Sequence, residues 1–101
     1  MDQSEKIKLL RALSWDYNIP VEDLDALITG STDLAGHYDK HKLFIKILET
    51  YPWFTILQLY PIKDITELLT EKAIMQLRQP SLRKQYEFIK KRLQEIISVS
   101  G

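Results

Sequence analysis

Two histidines, His37 and His41, lie four residues apart with Asp39 between them, and this is the one grouping in the chain that resembles a metal site. Histidines at this spacing on a helix can share one ion. Zinc takes three or four protein ligands, however, and the chain has no cysteine and no further histidine to supply them. His37 also precedes the expected start of a helix, which spoils the spacing. We therefore expect no metal site and no bound cofactor.

A second grouping consists of carboxylates, which lie in a span without lysine or arginine between Arg11 and Lys40. General acid–base catalysis requires two such groups that converge in one pocket, and nothing in the spacing here forces convergence. A solvated face is the simplest interpretation, and a docking surface for a basic partner is the alternative. The candidate acidic contact surface comprises Asp16, Glu22, Asp23 and Asp25.

The basic residues concentrate near the other end of the chain. Residues 1–75 carry 8 Lys/Arg against 12 Asp/Glu, a net charge of −4, whereas residues 76–101 carry 6 against 2, a net charge of +4. The candidate basic contact surface comprises Arg83, Lys84, Lys90, Lys91 and Arg92. Glu87 and Glu95 interrupt this surface, and a helix that buries one face usually carries charge on the other. Contact with nucleic acid is therefore not the favoured interpretation.

Motifs of known catalytic centres are missing from the sequence, which has no glycine-rich phosphate loop, no GxSxG, no HExxH and no DxDxDG. The 101 residues are 45% apolar and carry no net charge, which indicates one folded domain and no global attraction to nucleic acid or membrane. The chain has no cysteine and no stretch typical of a signal peptide or a membrane span. We expect a non-enzymatic protein of the reducing cytoplasm, with no catalytic residues.

The elements that must position these side chains are organised around residues 43–60, where most of the large apolar side chains are concentrated. A helix with one buried face is predicted by the spacing of Leu43, Phe44, Ile47 and Leu48. After Pro52, residues 53–60 fit either a strand or a helix, because they are rich in aromatic and β-branched residues. We favour the helix, in which Thr55 and Gln58 form a polar stripe with apolar side chains around the rest.

The N-terminal part of the chain predicts two helices and a loop. Apolar periodicity indicates a first helix over residues 4–17, and Pro20 is well placed to open a second. Gly30 is the expected end of that helix, because glycine adopts positive φ most easily. Residues 30–38 are predicted as a loop, since they contain two glycines and small polar residues. The central helix then begins near Asp39, whose carboxylate complements the helix N-terminus.

The C-terminal part predicts short helices followed by a long one. Residues 64–67 fit a capping box, the helix breaks near Thr70, and Ser81 caps a last helix over residues 82–97. The apolar residues of this last helix step by 4, 3, 4 and 3: Leu82, Tyr86, Ile89, Leu93 and Ile96. Phe88 lies slightly off this face, where partial burial at the edge of the core is the commoner outcome and an exposed apolar contact is the alternative. The predicted fold class is all-α: one domain over residues 1–101, an irregular compact bundle of six or seven short helices with a longer C-terminal helix.

Several separated features together resemble a group of short bacterial domains of unknown function that is common in Bacteroidetes. The features are Trp15 and Asp16, then Leu48 and Glu49 shortly before Trp53, and finally Leu82 and Arg83 with Tyr86. The resemblance covers roughly residues 9–95, and the chain departs from shorter members by the added residues 20–36. Members are often encoded beside nucleotidyltransferase-type toxins of abortive-infection systems. The resemblance therefore implies an antitoxin-like companion and carries over no defined binding site.

Two hypotheses about function remain open at this point. The leading one is a small protein–protein interaction domain, whose partner would be a toxin-like nucleotidyltransferase. The alternative is a DNA-binding module in which residues 53–77 form a helix-turn-helix-like pair, although residues 65–77 offer only Lys72, Gln76 and Arg78 to read bases. A homodimer through the apolar face of the last helix is a further option, although burial of that face within one chain explains the same periodicity.

Overall fold

The computed structural model of this protein describes residues 2–14, 19–35 and 38–100, with the side chains of residues 14 and 97–100 left aside. Helices make up 76% of it, and the predicted all-α class with a longer C-terminal helix is confirmed. The helices of the described residues are α1 Gln3–Ser14, α2 Val21–Thr29, α3 Lys40–Thr50, α4 Trp53–Leu59, α5 Ile62–Leu68, α6 Glu71–Met75 and α7 Pro80–Ser100. The ambiguous residues after Pro52 therefore form a helix, as favoured.

The chain divides within α3 into two compact units, Met1–Leu43 and Phe44–Gly101. The single domain expected from the chain length stays a prediction. In the first unit, α2 buries the apolar residues that its periodicity indicates, whereas Ile7 of the face predicted for α1 is only half-buried. The buried apolar residues of this unit are Leu10, Leu13, Ile19, Leu24, Leu27, Ile28, Ala35, Tyr38 and Leu43. The helix predicted over residues 4–17 is observed to Ser14, and its predicted last residue, Tyr17, lies outside the described residues.

Gly30 ends α2 as predicted. Its φ is 86°, in the left-handed region that glycine adopts without steric cost. The Gly30 N–H donates to the Leu27 carbonyl oxygen at 3.3 Å, and the Ser31 N–H donates to the Ala26 carbonyl oxygen at 2.8 Å. These two bonds satisfy carbonyl groups that the end of the helix would otherwise leave without a donor.

A two-stranded antiparallel sheet corrects the prediction of a loop over residues 30–38. β1 Leu34–Ala35 pairs with β2 Tyr38–Asp39, so that Ala35 stands opposite Tyr38. Opposed residues share one face of a sheet, and both of these side chains are buried. Ala35 and Tyr38 are therefore buried on the same face of the paired strands. The glycines and small polar residues of this segment gave no indication of strand pairing. Asp39 immediately precedes α3, close to the predicted start of this helix. Its Oδ1 accepts a hydrogen bond from the Lys42 N–H at 2.8 Å and so caps the helix.

Three of the four prolines stand immediately before a helix. Pro20, Pro52 and Pro61 have extended backbones and precede α2, α4 and α5. Each donates no N–H, yet each carbonyl accepts a bond from the first helical turn, for example from the Ile56 N–H to Pro52 at 3.2 Å. A missing N–H costs nothing at this position, so these prolines set the helix starts.

The predicted buried face of α3 is confirmed, and three of its four buried residues, Phe44, Ile47 and Leu48, belong to the second unit. The buried apolar residues here are Phe44, Ile47, Leu48, Ile56, Leu59, Tyr60, Ile65, Leu68, Leu69, Ala73, Ile74, Leu77 and Tyr86. The rings of Phe44 and Tyr60 meet edge to face, with centroids 5.3 Å apart and an interplanar angle of 84°. Such aromatic pairs add about 0.5–1.5 kcal/mol beyond the area that they bury.

Two predicted helix caps are wrong. α5 begins at Ile62, so Asp64 lies inside its first turn and makes no capping box with Glu67. α7 begins at Pro80, which places Ser81 within the helix instead of before it. α5 begins directly after Pro61, and α7 begins at Pro80 itself. In each case the helix starts before the polar residue that was expected to cap it. The break near Thr70 is confirmed, and the Thr70 Oγ1 accepts from the Ala73 N–H at 3.1 Å to cap α6.

Candidate interaction surfaces

The apolar face predicted for the last helix is only partly covered. Tyr86 is buried, whereas Leu82, Ile89 and Leu93 are half-buried. The prediction is wrong for Ile96, which is 62% exposed. Periodicity shows which residues share a side of a helix, but the other elements decide how far along the helix that side is covered.

Arg83 of the candidate basic surface is engaged within its own chain. Its Nε donates to the Leu77 carbonyl oxygen at 2.7 Å, and its Nη2 reaches the Arg78 carbonyl oxygen at 3.5 Å. These carbonyls belong to the segment that joins α6 to α7. The guanidinium therefore helps to hold the connection between α6 and α7.

The other basic residues of α7 lie among acidic residues, so this part of the surface carries charges of both signs. Arg92 pairs with Glu95, its Nη1 being 3.3 Å from the Glu95 Oε2. Lys84 is exposed, while Lys90 and Lys91 line a groove of about 450 Å³ between α6 and α7. The groove is lined by Glu71, Ile74, Met75, Glu87, Lys90, Lys91 and Gln94. Two carboxylates and two ammonium groups are among its lining groups, so the groove does not offer the uniform positive charge that phosphates attract.

The structure splits the candidate acidic surface. Glu22 and Asp23 are exposed in the first turn of α2, where their charge complements the helix dipole. Asp25 instead forms an ion pair with Lys6 of α1, with 2.6 Å between Oδ1 and Nζ, and its Oδ2 lies 3.4 Å from the Gln3 Nε2. Asp25 therefore joins two helices of the first unit. Asp16 lies outside the described residues.

The apolar side chains exposed on α4 form the surface that the sequence did not predict. The prediction that Thr55 and Gln58 form a polar stripe on α4 is wrong, because Thr55 is only 8% exposed and is buried like Ile56. Phe54 is 65% exposed and Leu57 is 42% exposed. These two residues are three apart and share one side of the helix. A signal was available, because a helix with apolar residues on nearly every side cannot bury them all against one core.

Ile62, the first residue of α5, is a third large apolar side chain exposed in the same part of the sequence. We name Phe54, Leu57 and Ile62 the α4–α5 apolar surface. Trp53 is half-buried, and its ring meets that of Tyr86 at 6.1 Å and 69°. This indole therefore belongs to the packing of the second unit and lies apart from the exposed set.

Residues 65–77, which the DNA-binding hypothesis assigns to base reading, do not form one helix, because α5 ends at Leu68 and α6 begins at Glu71. α6 has five residues, and its Ala73 and Ile74 are buried. Its exposed residues include Glu71, which phosphates repel, together with Lys72 and Met75. Recognition helices present several polar side chains along one side, and α6 presents one lysine.

Among the described residues, the groups whose pKa values are shifted are tyrosines of the second unit. Burial raises the pKa of Tyr60 strongly, and the negative charge of Asp64 adds to the rise. Burial also raises the pKa values of Tyr51 and Tyr86. These groups stay protonated and neutral in the folded chain at ordinary pH.

His41 is exposed at the start of α3, and His37 lies outside the described residues. Within residues 2–14, 19–35 and 38–100, no three side chains of His, Cys, Asp or Glu are grouped as metal ligands. In the same part of the chain, no helix combines the length and the apolar character that crossing a membrane demands. The chain matches no family model, and no curated protein and no solved structure is significantly similar to it.

Proposed function

We propose that this chain is a non-enzymatic cytoplasmic protein that acts by binding another protein through the α4–α5 apolar surface. The observation that carries the proposal is the exposure of Phe54 and Leu57 on one side of α4. Leaving a large apolar side chain in water forgoes about 1.5–3 kcal/mol of burial free energy, which a partner can recover. Aromatic residues set among apolar neighbours are typical anchors of protein interfaces.

The partner that we propose is a nucleotidyltransferase-type toxin, which makes the chain an antitoxin-like companion. This part of the proposal is supported by the family resemblance of residues 9–95 and not by the geometry of the surface. Masking a toxin requires only a stable contact, and it places no demand on the chain for catalytic groups. The mixed charge of the α6–α7 groove gives less support to the DNA-binding alternative.

The test is purification of the tagged chain from its native host, with the bound proteins identified and their stoichiometry measured. We expect a nucleotidyltransferase-type protein to be recovered in a fixed ratio. Phe54→Asp should lose this protein, because it places a charge in the centre of the interface. Leu34→Asp is the matched control, since Leu34 is 64% exposed, close to the 65% of Phe54, but lies on β1. Recovery of no stoichiometric partner, or equal recovery by both variants, would contradict the proposal.

A further inference from the structure

The outward side of α7 carries a regular stripe of exposed residues. Lys84, Phe88, Lys91 and Glu95 step by 4, 3 and 4, and all four are exposed. They lie on the side of the helix opposite Tyr86, the residue that α7 buries in the second unit. Steps of this kind keep side chains in line along a helix, as in the seam of a helix pair. α7 has 21 residues, so the helix is about 31 Å long.

Charges alternate in sign along this stripe. Lys84 is followed by Glu87, then by Lys91, then by Glu95, where Glu87 lies at one edge of this side and Arg92, the ion-pair partner of Glu95, lies at the other. None of Lys84, Glu87 and Lys91 forms an ion pair with another described residue. Glu95 is bonded to Arg92, but both groups are exposed, and such a pair contributes about 0–1 kcal/mol. These charges are therefore available to a partner.

When a second copy of the stripe is laid alongside in the reverse direction, opposite charges come together. We propose that the stripe binds a second copy of this chain, with the two α7 helices antiparallel about a two-fold axis between Ile89 and Lys90. Lys84 then lies opposite the partner's Glu95, and Glu87 lies beside the partner's Lys91. A parallel arrangement in register would instead set each charge against its like, which is repulsive. A uniformly charged partner would be attracted by half of the stripe and repelled by the other half.

Phe88 supplies the apolar centre of this contact. It is 65% exposed and lies within two residues of the proposed axis. The two copies of Phe88 are offset by three residues, about 4.5 Å along the helices, so each ring can contact the other. Each ring also lies opposite the ammonium group of the partner's Lys91, a favourable cation–π arrangement. Met75, which is 75% exposed, extends the apolar area, because it shares the α6–α7 groove with Glu87 and Lys91.

This proposal goes beyond the proposed function and does not depend on it, since it uses α7 and not the α4–α5 apolar surface. The experiment is sedimentation equilibrium of the full chain at low salt, from low micromolar to millimolar concentration. We expect a monomer–dimer equilibrium that weakens as salt is added. Phe88→Ala should weaken association by about tenfold or more, whereas the equally exposed Phe54→Ala should leave it unchanged. A chain that stays monomeric throughout, or a dimer lost with Phe54→Ala only, overturns the proposal.

Charge exchange tests the antiparallel register. Lys84→Glu alone and Glu95→Lys alone should each weaken the dimer, because each sets like charges opposite one another. The double variant Lys84→Glu with Glu95→Lys should restore association, since both pairs are then reversed together. Circular dichroism at the working concentration checks that each variant remains helical. Association in the double variant that is no stronger than in the single ones contradicts this register.

Cross-linking gives a second measurement that does not rely on affinity. The chain has no cysteine, so each introduced thiol is the only one. When equal amounts of Lys84→Cys and Glu95→Cys chains are mixed and oxidised, the mixed disulfide should exceed each homodimer by much more than the factor of about two that random pairing gives. In the proposed pair, two copies of residue 84 are offset by eleven residues, about 16 Å, which exceeds the reach of a disulfide. A mixed product that makes up only about half of the disulfides, as random pairing gives, or less, would overturn the proposed arrangement.

Discussion

The Nε of Arg83, at the start of α7, lies 2.7 Å from the carbonyl oxygen of Leu77, just beyond the end of α6. The same guanidinium reaches the next carbonyl, that of Arg78, through Nη2 at 3.5 Å. One planar group thus serves two backbone acceptors in the short connection between the helices. A residue that the sequence places in a basic contact surface is in this way part of what holds α7 to α6.

We expect Arg83→Lys to lower the free energy of unfolding by about 1–2 kcal/mol, because an ammonium group cannot reproduce the fork of donors. Urea titration of the wild type and the variant measures the change. Gln85→Ala, at a neighbouring exposed position of α7, is the matched control and should stay within about 0.5 kcal/mol of the wild type. Equal stability of Arg83→Lys and the wild type would show that the two carbonyl contacts contribute nothing.

Gly30 provides a test of backbone conformation without a change in packing. A Cβ at this position would meet no atom within 4 Å, so only the φ of 86° opposes a side chain. We expect Gly30→Ala to lower the free energy of unfolding by about 1–2 kcal/mol, the cost of the left-handed conformation. Gly30→Asn should lose less, because asparagine tolerates this region better than alanine. Thermal unfolding of both variants compares them, and the reverse order of stability would refute the explanation.

The raised pKa of Tyr60 predicts that the folded chain loses stability at alkaline pH. Burial and Asp64 raise the pKa of Tyr60 above the ordinary value of 10.0, so the folded chain holds this proton more tightly than the unfolded chain. The resulting stability is fully present below pH 10 and is lost as the pH rises toward the folded pKa. Above pH 10 the free energy of unfolding should fall by up to about 1.4 kcal/mol per pH unit for this group.

Tyr60→Phe should remove most of that slope, which urea titrations at a series of pH values can measure. Tyr51→Phe is the control, because Tyr51 is only half-buried and its pKa is raised less far. Some slope should persist in Tyr60→Phe, since burial also raises the pKa of Tyr86. If the Tyr60→Phe and wild-type profiles run parallel above pH 10, the assignment to Tyr60 is wrong.

The ion pair of Lys6 and Asp25 should stabilise the first unit modestly. Both side chains are partly exposed, at 18% and 26%, so solvent screens their attraction. We expect a double-mutant cycle with Lys6→Gln and Asp25→Asn to give a coupling energy of about 0.5–1 kcal/mol that falls with added salt. Lys8→Gln, at an exposed position of α1, should be additive with Asp25→Asn. A coupling of zero at low salt would count against the contact.

Local signals in the sequence determined most of the helices. Pro20, Pro52 and Pro61 set where helices begin, and Gly30 sets where one ends, because each acts through its own backbone geometry. The buried face of α3 is also determined locally, because four apolar residues at helical spacing specify it. These features depend on residues within one or two turns of each other, so the chain alone carries them.

Only the tertiary structure decided which side chains remain available to a partner. A short helix such as α4 is apolar on nearly every side, and whether Thr55 or Phe54 is buried depends on which side its neighbours cover. The roles of Arg83 and Asp25 were likewise set by contacts with other elements, with Leu77 and Lys6. Periodicity fixes the angle of a residue around its helix, but its burial or its pairing requires atoms that come from elsewhere in the chain.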